Sequence, residues 1–502
     1  MTTSSFSGSA ATNTPRQADP SPSGTSHGRG DAPGGARYVV LLLALIWPAQ
    51  LLTAAGVVTG TTSPAIAQAF ATTQVVWFGL AYTLVSTLLT PAVCRLGDIF
   101  GKKRIMMIAA GIGLVGDLIV VLGPSFEMVL LGRALAGFYG PIGALVFATA
   151  RDVFPPRRVG VASSLIGSSL GLTTLLAPLV VGVLLDNFGF RGPLWFVVVG
   201  TAIALVLLTV LPETPRRAPT ARFDWLGSLL LGTATVALVF GVDRGGSWGW
   251  SSAPVLGLGV VTVACLIGFV VVERRHAEPV VDVRMLRRRA VATVLTSTSV
   301  LQGTVYAVAV VATLLTLFPP IPGVSAGLGW SGTKTALVMA TGQLAMFLLG
   351  FVVGKMSGRW DPRRPWLVGS VITTLGLVSY AFLHGNAWQI GLSALVVGIG
   401  GGFSVGSVPL LILGSVSPKE QSMANGMSVL LTGVATAVVS TVIFAVMAAS
   451  GVVMDGTQFY SDASFRNAYL VCAAILAASI PVTLAIPRIL KTSEIESGQA
   501  AS

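Results

Sequence analysis

Apolar residues in this chain fall in long runs, separated by short stretches rich in basic residues, Gly and Pro. The runs cover 38–60, 75–94, 105–123, 127–150, 159–185, 194–211, 224–243, 254–273, 290–318, 333–354, 366–384, 388–414, 422–449 and 467–486, fourteen in all. Each is long enough to cross a hydrocarbon core about 30 Å thick with about 20 helical residues. A helix closes its own backbone hydrogen bonds, which lipid requires. The predicted fold class is therefore all-α and integral to the membrane, with 14 transmembrane helices. The first run is too long for a signal-peptide core and lacks a small-residue cleavage pattern, so it reads as a retained first span.

Charge tests the count. With the N-terminal tail inside and the loops alternating, 26 of the 31 Lys and Arg fall on the inner side. Only Arg191, Arg244 and Arg466 fall outside, and Arg133 and Lys334 lie within spans. An excess of this size on one side is what the positive-inside rule demands of a correct count. Both termini are expected to be cytoplasmic.

Composition adds exclusions. The 502 residues are 53% hydrophobic and 10% charged, with mean hydropathy +0.82. Soluble domains carry about 25% charged residues. A soluble enzyme, a nucleic-acid binder and a disordered scaffold are excluded. The net charge of +12 reflects topology and calls for no nucleic-acid partner. Residues 1–37 are rich in Ser, Thr, Gly and Pro and read as a disordered cytoplasmic tail. Cys94, Cys265 and Cys472 have no metal-ligand spacing and read as small buried hydrophobes.

An internal repeat appears next. Cys94-Arg-Leu-Gly-Asp-Ile-Phe-Gly-Lys-Lys-Arg104 joins spans 2 and 3, and Gly354-Lys-Met-Ser-Gly-Arg-Trp-Asp-Pro-Arg-Arg364 joins spans 10 and 11. The two align without gaps, with basic residues at the second, tenth and eleventh positions. If each follows the second helix of a six-helix unit, the chain is 6 + 2 + 6. The divisions are then a six-helix bundle over 38–214, two extra helices with a basic cytoplasmic linker over 215–289, a second six-helix bundle over 290–488, and a cytoplasmic tail over 489–502. Two repeated halves with a site between them near the midplane is a common transporter architecture.

The segment Leu96-Gly-Asp-Ile-Phe-Gly-Lys-Lys-Arg104 resembles the loop 2–3 signature of the major facilitator superfamily, and the chain resembles its fourteen-spanner drug:proton antiporter branch. Leu131-Gly-Arg-Ala-Leu-Ala-Gly137 is similar to the family's helix 4 motif, with Arg133 at its arginine. Ala177-Pro-Leu-Val-Val-Gly182 is similar to the antiporter motif of helix 5, placing Pro178 and Gly182 at motif positions. Asp224-Trp-Leu-Gly227 and Trp248-Gly-Trp250 resemble the stretch around the two extra helices. There are departures: Cys94 where the loop motif opens with Gly, Ile99 where a basic residue follows the Asp, and Ala55 where the branch often carries a helix 1 acid.

The resemblance implies a plasma-membrane secondary transporter, not an enzyme, exporting hydrophobic drugs or antibiotics in exchange for protons by alternating access. The missing helix 1 acid keeps an alternative open: a specific metabolite exporter or importer working as uniporter or symporter. The substrate is expected to be small and hydrophobic, with a cationic charge allowed, and to be exchanged with protons, with no cofactor and a monomeric chain. The resemblance also makes Leu96, Asp98, Gly101, Lys102, Lys103 and Arg104 a conformational latch at the inner face. The physical logic is a carboxylate that exchanges basic and helix-terminal partners between two arrangements. The alternative is a solvated turn that only orients its helices.

Ionisable groups at membrane depth are costly and so are functional candidates. Asp117 lies six residues before the outer end of its span, and Arg133 about six after the outer start of the next. Both then sit roughly 9 Å below the same surface, which makes an ion pair geometrically plausible. Read functionally, Asp117 titrates and Arg133 couples to it. Read structurally, they form a permanent pair that burial alone would require. Lys334 is expected to snorkel to the interface.

Gln50, Tyr82, Phe138, Tyr139, Gln302, Tyr306 and Gln343 are candidates to line a mainly apolar substrate cavity. Trp47 and Trp77 fit either cavity contacts or interfacial anchors. Residues 273–289 hold six Arg and are expected to lie on anionic lipid. No G-x-x-x-x-G-K-[ST] is present, which argues against ATP-driven pumping by this chain alone. His27, His276 and His384 lie outside the spans, and no metal site is expected.

The span count makes a direct prediction. Tags inserted after Gly123 and after Gly451 should both be labelled from outside the cell; labelling of either from the cytosol overturns the topology.

Overall fold

A computed structural model describes residues 35–213, 224–275, 283–356, 361–416 and 421–487. The expectations for most of the N-terminal tail, the 489–502 tail, Arg216, Arg217, Arg222, His276, Arg359 and Lys419 lie outside the described residues.

The described chain is a bundle of fourteen apolar helices, thirteen of them continuous or gently broken and one sharply bent. We label them α1 (Arg37–Ala69), α2 (Val76–Phe100), α3 (Lys102–Leu122), α4 (Phe126–Val153), α5 (Pro156–Phe188), α6 (Arg191–Val210) and α7 (Trp225–Trp248). The rest are α8 (Ala253–Arg275), α9 (Arg289–Leu317), α10 (Gly332–Met356), α11 (Arg363–Phe382), α12 (Ala387–Ser415), α13 (Gln421–Ala449) and α14 (Asp462–Leu484). The chain is a multi-pass membrane protein, with one helix for each apolar run read from the sequence. The first helix runs on to Ala69, beyond the expected end at 60.

Two short hairpins interrupt the helical pattern where the sequence showed only connections. The strands β1 (Pro320–Ile321) and β2 (Ser325–Ala326) pair after α9, and β3 (Gly451–Met454) and β4 (Thr457–Tyr460) pair after α13. By the charge assignment both lie on the outer side, where water and the neighbouring loops satisfy backbone groups that lipid would not.

The hydrophobic interior divides in two. One core runs from Leu41 to Leu211 and belongs to α1–α6. The other runs from Met285 to Ile486, with contributions from α1, α2, α7 and α8. Helix α7 lies against α2 and α13, and α8 packs on α7. The extra pair thus sits at one flank of the junction between the halves.

Three helices in the first half are broken, each near Pro or Gly. α1 is interrupted at Gln50, two residues after Pro48. α2 bends by 45° between Thr90 and Ala92, around Pro91. α4 tightens to a 3₁₀ turn at Gly137–Tyr139, just before Pro141. Proline removes an intrahelical donor and crowds the preceding turn, so bends concentrate there. Gly101 has φ +100°, which lets α2 end and α3 begin across a single residue.

Glycine sets the spacing of the second half. A Cβ at Gly369 would meet the carbonyl oxygen of Gly400 at 2.8 Å, and one at Gly406 that of Gly350 at 2.8 Å. Gly398 is seated on the backbone of Gly342. Small residues let α10, α11 and α12 touch backbone to backbone, which is how helices associate where burial from water gives no drive.

Gly398→Val should therefore destabilise the protein by about 1–3 kcal/mol through overpacking. Gly257→Val on α8, where the added side chain meets open space, should change it by less than about 0.5 kcal/mol. Thermal unfolding of both variants in detergent checks the contrast.

Candidate functional site

Asp117 and Arg133 are both buried, at 3% and 1% exposure. They come close because α3 and α4 touch through glycine: a Cβ at Gly116 would meet the Gly132 carbonyl at 2.6 Å, and one at Gly132 would meet the Gly116 carbonyl at 2.6 Å. That contact also corrects the expected direct ion pair. Residues 117 and 133 adjoin the backbone contact and leave it in different directions.

Asp117 points to α6 and the 3₁₀ turn of α4. Its carboxylate accepts from the Thr201 hydroxyl at 3.1 Å and from Tyr139 Oη at 3.4 Å. Arg133 points to α1 and α2. Its Nε donates to the Phe78 carbonyl at 3.2 Å, and Nη2 donates to the Thr59 hydroxyl. The guanidinium lies 4.7 Å from the Phe78 ring centroid and 4.6 Å from that of Tyr82. Tyr82 and Tyr139 are themselves 5.8 Å apart. The two charges are thus connected through a pair of tyrosines inside one half. A cation–π contact of this kind is strongest when desolvated.

Thr59, Phe78 and Thr201 were not singled out from the sequence. Thr59 lies one helical turn beyond Ala55, the position where the resemblance expects an acid, and its hydroxyl donates to the Ala55 carbonyl at 2.6 Å. The hydroxyl run Thr59-Gly-Thr-Thr-Ser63 within an apolar helix was the available signal.

At the face that the charge assignment makes inner, Lys102 is buried and lies 2.6 Å from Asp152 and 3.5 Å from Asp98. Lys103 Nζ donates to the carbonyls of Thr209 and Leu211, at 2.8 and 2.6 Å, at the end of α6. Arg363 Nη1 donates to the Ile486 carbonyl at 3.0 Å, just past the end of α14. Lys103 and Arg363 are the tenth residues of the two repeated segments. In each half, then, the same repeat position binds the last helix of that half through orphan C-terminal carbonyls, where a cation is favoured. Arg104 and Arg364, the eleventh residues, are both exposed, while Leu96 is half-buried and Gly101 forms the turn. Beside Arg363, Asp361 is partly buried, which would raise its pKa. Hydrogen bonds from the Arg363 side chain and backbone outweigh this and hold it below the usual carboxylate range.

At the face that the charge assignment makes outer, the halves are joined. Gly182 on α5 contacts the backbone of Gly332 at the start of α10, and Asp186 accepts from the backbone N–H groups of Gly332 and Thr333 at 2.6 and 2.9 Å. The carboxylate satisfies orphan donors at a helix N-terminus. Pro178 lies within α5, two turns before Asp186. The β3–β4 hairpin crosses to α1, with the Thr457 hydroxyl donating to the Ala67 carbonyl at 3.3 Å. Trp77 Nε1 donates to Asp243 of α7 at 3.0 Å, and Trp47 Nε1 to the Gly200 carbonyl of α6 at 2.9 Å, so each indole binds a neighbouring helix.

The expected cavity residues do not form one group. Tyr82 and Tyr139 are buried with Asp117 and Arg133. Gln50 donates to Ser169 of α5 at 2.7 Å, and Gln302 on α9 accepts from Thr432 of α13 at 3.5 Å. The first and fifth helices of each half are therefore tied by a Gln–hydroxyl bond. Tyr306 is 57% exposed, and Phe138 and Gln343 are half-buried. Lys334 lies over the Trp330 ring at 4.5 Å. His384 bonds Asp462 at 3.0 Å, the three cysteines are free, and no cluster of metal-ligating residues occurs among the described residues.

Residues 46–440 match the sequence profile described as Major Facilitator Superfamily. The chain is 24% identical over 360 residues to Multidrug resistance protein 3 of Bacillus subtilis (strain 168), covering 70% of this chain and 67% of that protein. It is 28% identical over 378 residues to the Probable actinorhodin transporter of Streptomyces coelicolor, covering 70% of this chain but only 62% of that relative. Among solved structures it is similar to the nucleoside transporter NupG, with TM-score 0.60 at 16% identity, covering 89% of this chain and 98% of that one. It is also similar to the POT family transporter PepTSo, with TM-score 0.62 at 13% identity, covering 89% and 98%. At these identities the structural likeness is one of fold.

The aromatic connection can be tested on Tyr82, whose hydroxyl has no hydrogen-bond partner. Tyr82→Leu, which removes the ring beneath Arg133, should cost about 2 kcal/mol. Tyr82→Phe should leave the melting temperature nearly unchanged. Equal losses in both variants would show that the hydroxyl, rather than the ring, supports the arginine.

Proposed function

Because the chain belongs to the major facilitator superfamily, a family of transporters rather than enzymes, we propose that it exports hydrophobic drugs or antibiotics across the plasma membrane in exchange for protons by alternating access. The observation that carries this reading is the buried carboxylate of Asp117, held by neutral hydroxyl donors with Arg133 one aromatic pair away. A carboxylate without a direct counter-charge in a dry bundle can exist in either protonation state, because neutralisation relieves its burial while nearby positive charge opposes it. A conformational change that moves α4 against α2 and α6 would alter both effects and release or take up the proton.

The rest of the cycle follows from the two faces. The Asp186 cap, the Gly182–Gly332 contact and the hairpin strap hold the outer side closed, and opening outward requires all three to part. At the inner face, Asp98 and Asp152 share Lys102, and exchange of these partners is the proposed latch. Expulsion of antibiotics is supported by the printed names of relatives, a multidrug resistance protein and an actinorhodin transporter. The second of these also favours the narrower reading of a dedicated exporter for one metabolite.

Asp117→Asn tests the coupling. In vesicles energised by a proton gradient, the wild type should move a substrate dye, and a protonophore should abolish the movement. The variant should fold, bind dye and lose drug-driven proton release. Unchanged proton release would remove Asp117 as the carrier, and dye movement insensitive to the protonophore would exclude proton exchange.

A further inference from the structure

Helices α10 and α12 begin at the same face of the bundle, because α11 returns the chain between them, and they pack side by side. Small residues hold them together in their middle turns. A Cβ at Gly342 would strike the Ala394 carbonyl, and one at Gly402 would meet the Met346 carbonyl at 2.9 Å. Nearer their starts, Ala387 and Gly391 offer almost no side chain, while Leu337, Trp388, Leu392 and Leu395 stand exposed around them. The result is a groove of about 580 Å³ between the two helices. The hydroxyl of Thr341 within it is bonded to the carbonyls of Val338 and Gly391, at 2.8 and 3.1 Å, so the lining is effectively apolar.

The groove faces lipid. On α10 it opens onto Leu337, Thr341, Leu344, Leu348 and Phe351, all exposed and repeating at helical spacing, an apolar face that continues toward the far end of the helix. At about 1.5 Å per residue, the stretch from Ala387 to Leu395 reaches about 12 Å into the bilayer, most of one leaflet of a core about 30 Å thick.

The mouth of the groove is different. Lys334 lies one turn before Leu337 and Val338 on the same face of α10, is exposed, and holds its ammonium 4.5 Å from the Trp330 ring centroid. Helical side chains lean toward the N-terminus, which carries this amine to the membrane surface. Trp388, in the first turn of α12, provides an indole at the same depth. Among the described residues no carboxylate forms an ion pair with Lys334. Asp186, beside this end of α10, is bound to the N–H groups of Gly332 and Thr333, and Asp462 is bound to His384. α10, α12 and residues 383–386 contain no Asp or Glu. The arrangement is an apolar channel one leaflet deep with a single cation at its top. A neutral-headed lipid would fill the channel and leave that cation without a counter-charge, while a free anion would leave the channel unused.

We propose that the groove between α10 and α12 binds an acyl chain of an anionic phospholipid whose phosphate pairs with Lys334. The site lies within one half of the protein, on its lipid side, and stands whatever the protein carries.

Phospholipids with a diazirine in one acyl chain test this, with adducts mapped by mass spectrometry on the full-length protein in phosphatidylcholine vesicles. At equal mole fraction, a phosphatidylglycerol probe should label residues 387–395 about fivefold more than a phosphatidylcholine probe, which is the effect of one lysine near an anionic head group. Lys334→Gln, a change at an exposed position, should make labelling by the two probes equal. Gly391→Leu, whose Cβ would meet only Val338 at 3.7 Å, should fill the groove and remove most of the labelling by both probes. Equal labelling by the two probes in the wild type would overturn the proposal. So would a phosphatidylglycerol preference that survives Lys334→Gln, or labelling of 387–395 that is unchanged in a folded Gly391→Leu protein.

Discussion

Hydrocarbon offers a peptide group no hydrogen-bond partner. Among the described residues the chain meets that demand with fourteen helices and confines its two hairpins to helix ends. The same demand governs side chains. Thr and Ser within the spans donate to the carbonyl four residues back, as at Thr59, Thr149 and Thr304. The polar groups that reach another helix do so in specific pairs, such as Gln50 with Ser169 and Trp366 with Ser297.

With burial from water giving no drive between helices, close approach has to come from shape. Glycine supplies it at Gly116–Gly132 in the first half, at Gly369–Gly400 in the second, and at Gly182–Gly332 between them. These contacts have different consequences. The first fixes the directions in which Asp117 and Arg133 leave their helices. The second makes a rigid block of α10, α11 and α12. The third brings the acceptor Asp186 to the N-terminus of α10 and so connects packing to the junction between the halves.

The repeat explains how one inner-face design serves both halves. A basic residue at the same repeat position binds the end of the last helix of its own half, Lys103 to α6 and Arg363 just past α14. Each half is thereby closed on itself at the face of the repeat loops, while the Asp186 cap and the Thr457 hydrogen bond join the halves at the opposite face.

Helix number and the repeat were legible in the chain because each is a one-dimensional signal: apolar run length, and the spacing of basic residues around the two loops. The motifs at Asp98 and Arg133 were legible for the same reason. Contacts between distant segments were not. Nothing along the sequence shows that Gly116 meets Gly132, that Arg133 turns to Thr59 and Tyr82 instead of Asp117, or that Asp186 ends at the N-terminus of a helix 146 residues away. Those pairings depend on the rotation of each helix about its own axis. In an apolar bundle with weak amphipathic bias, that rotation is decided by which small residues allow two backbones to touch, and only the packed structure sets it.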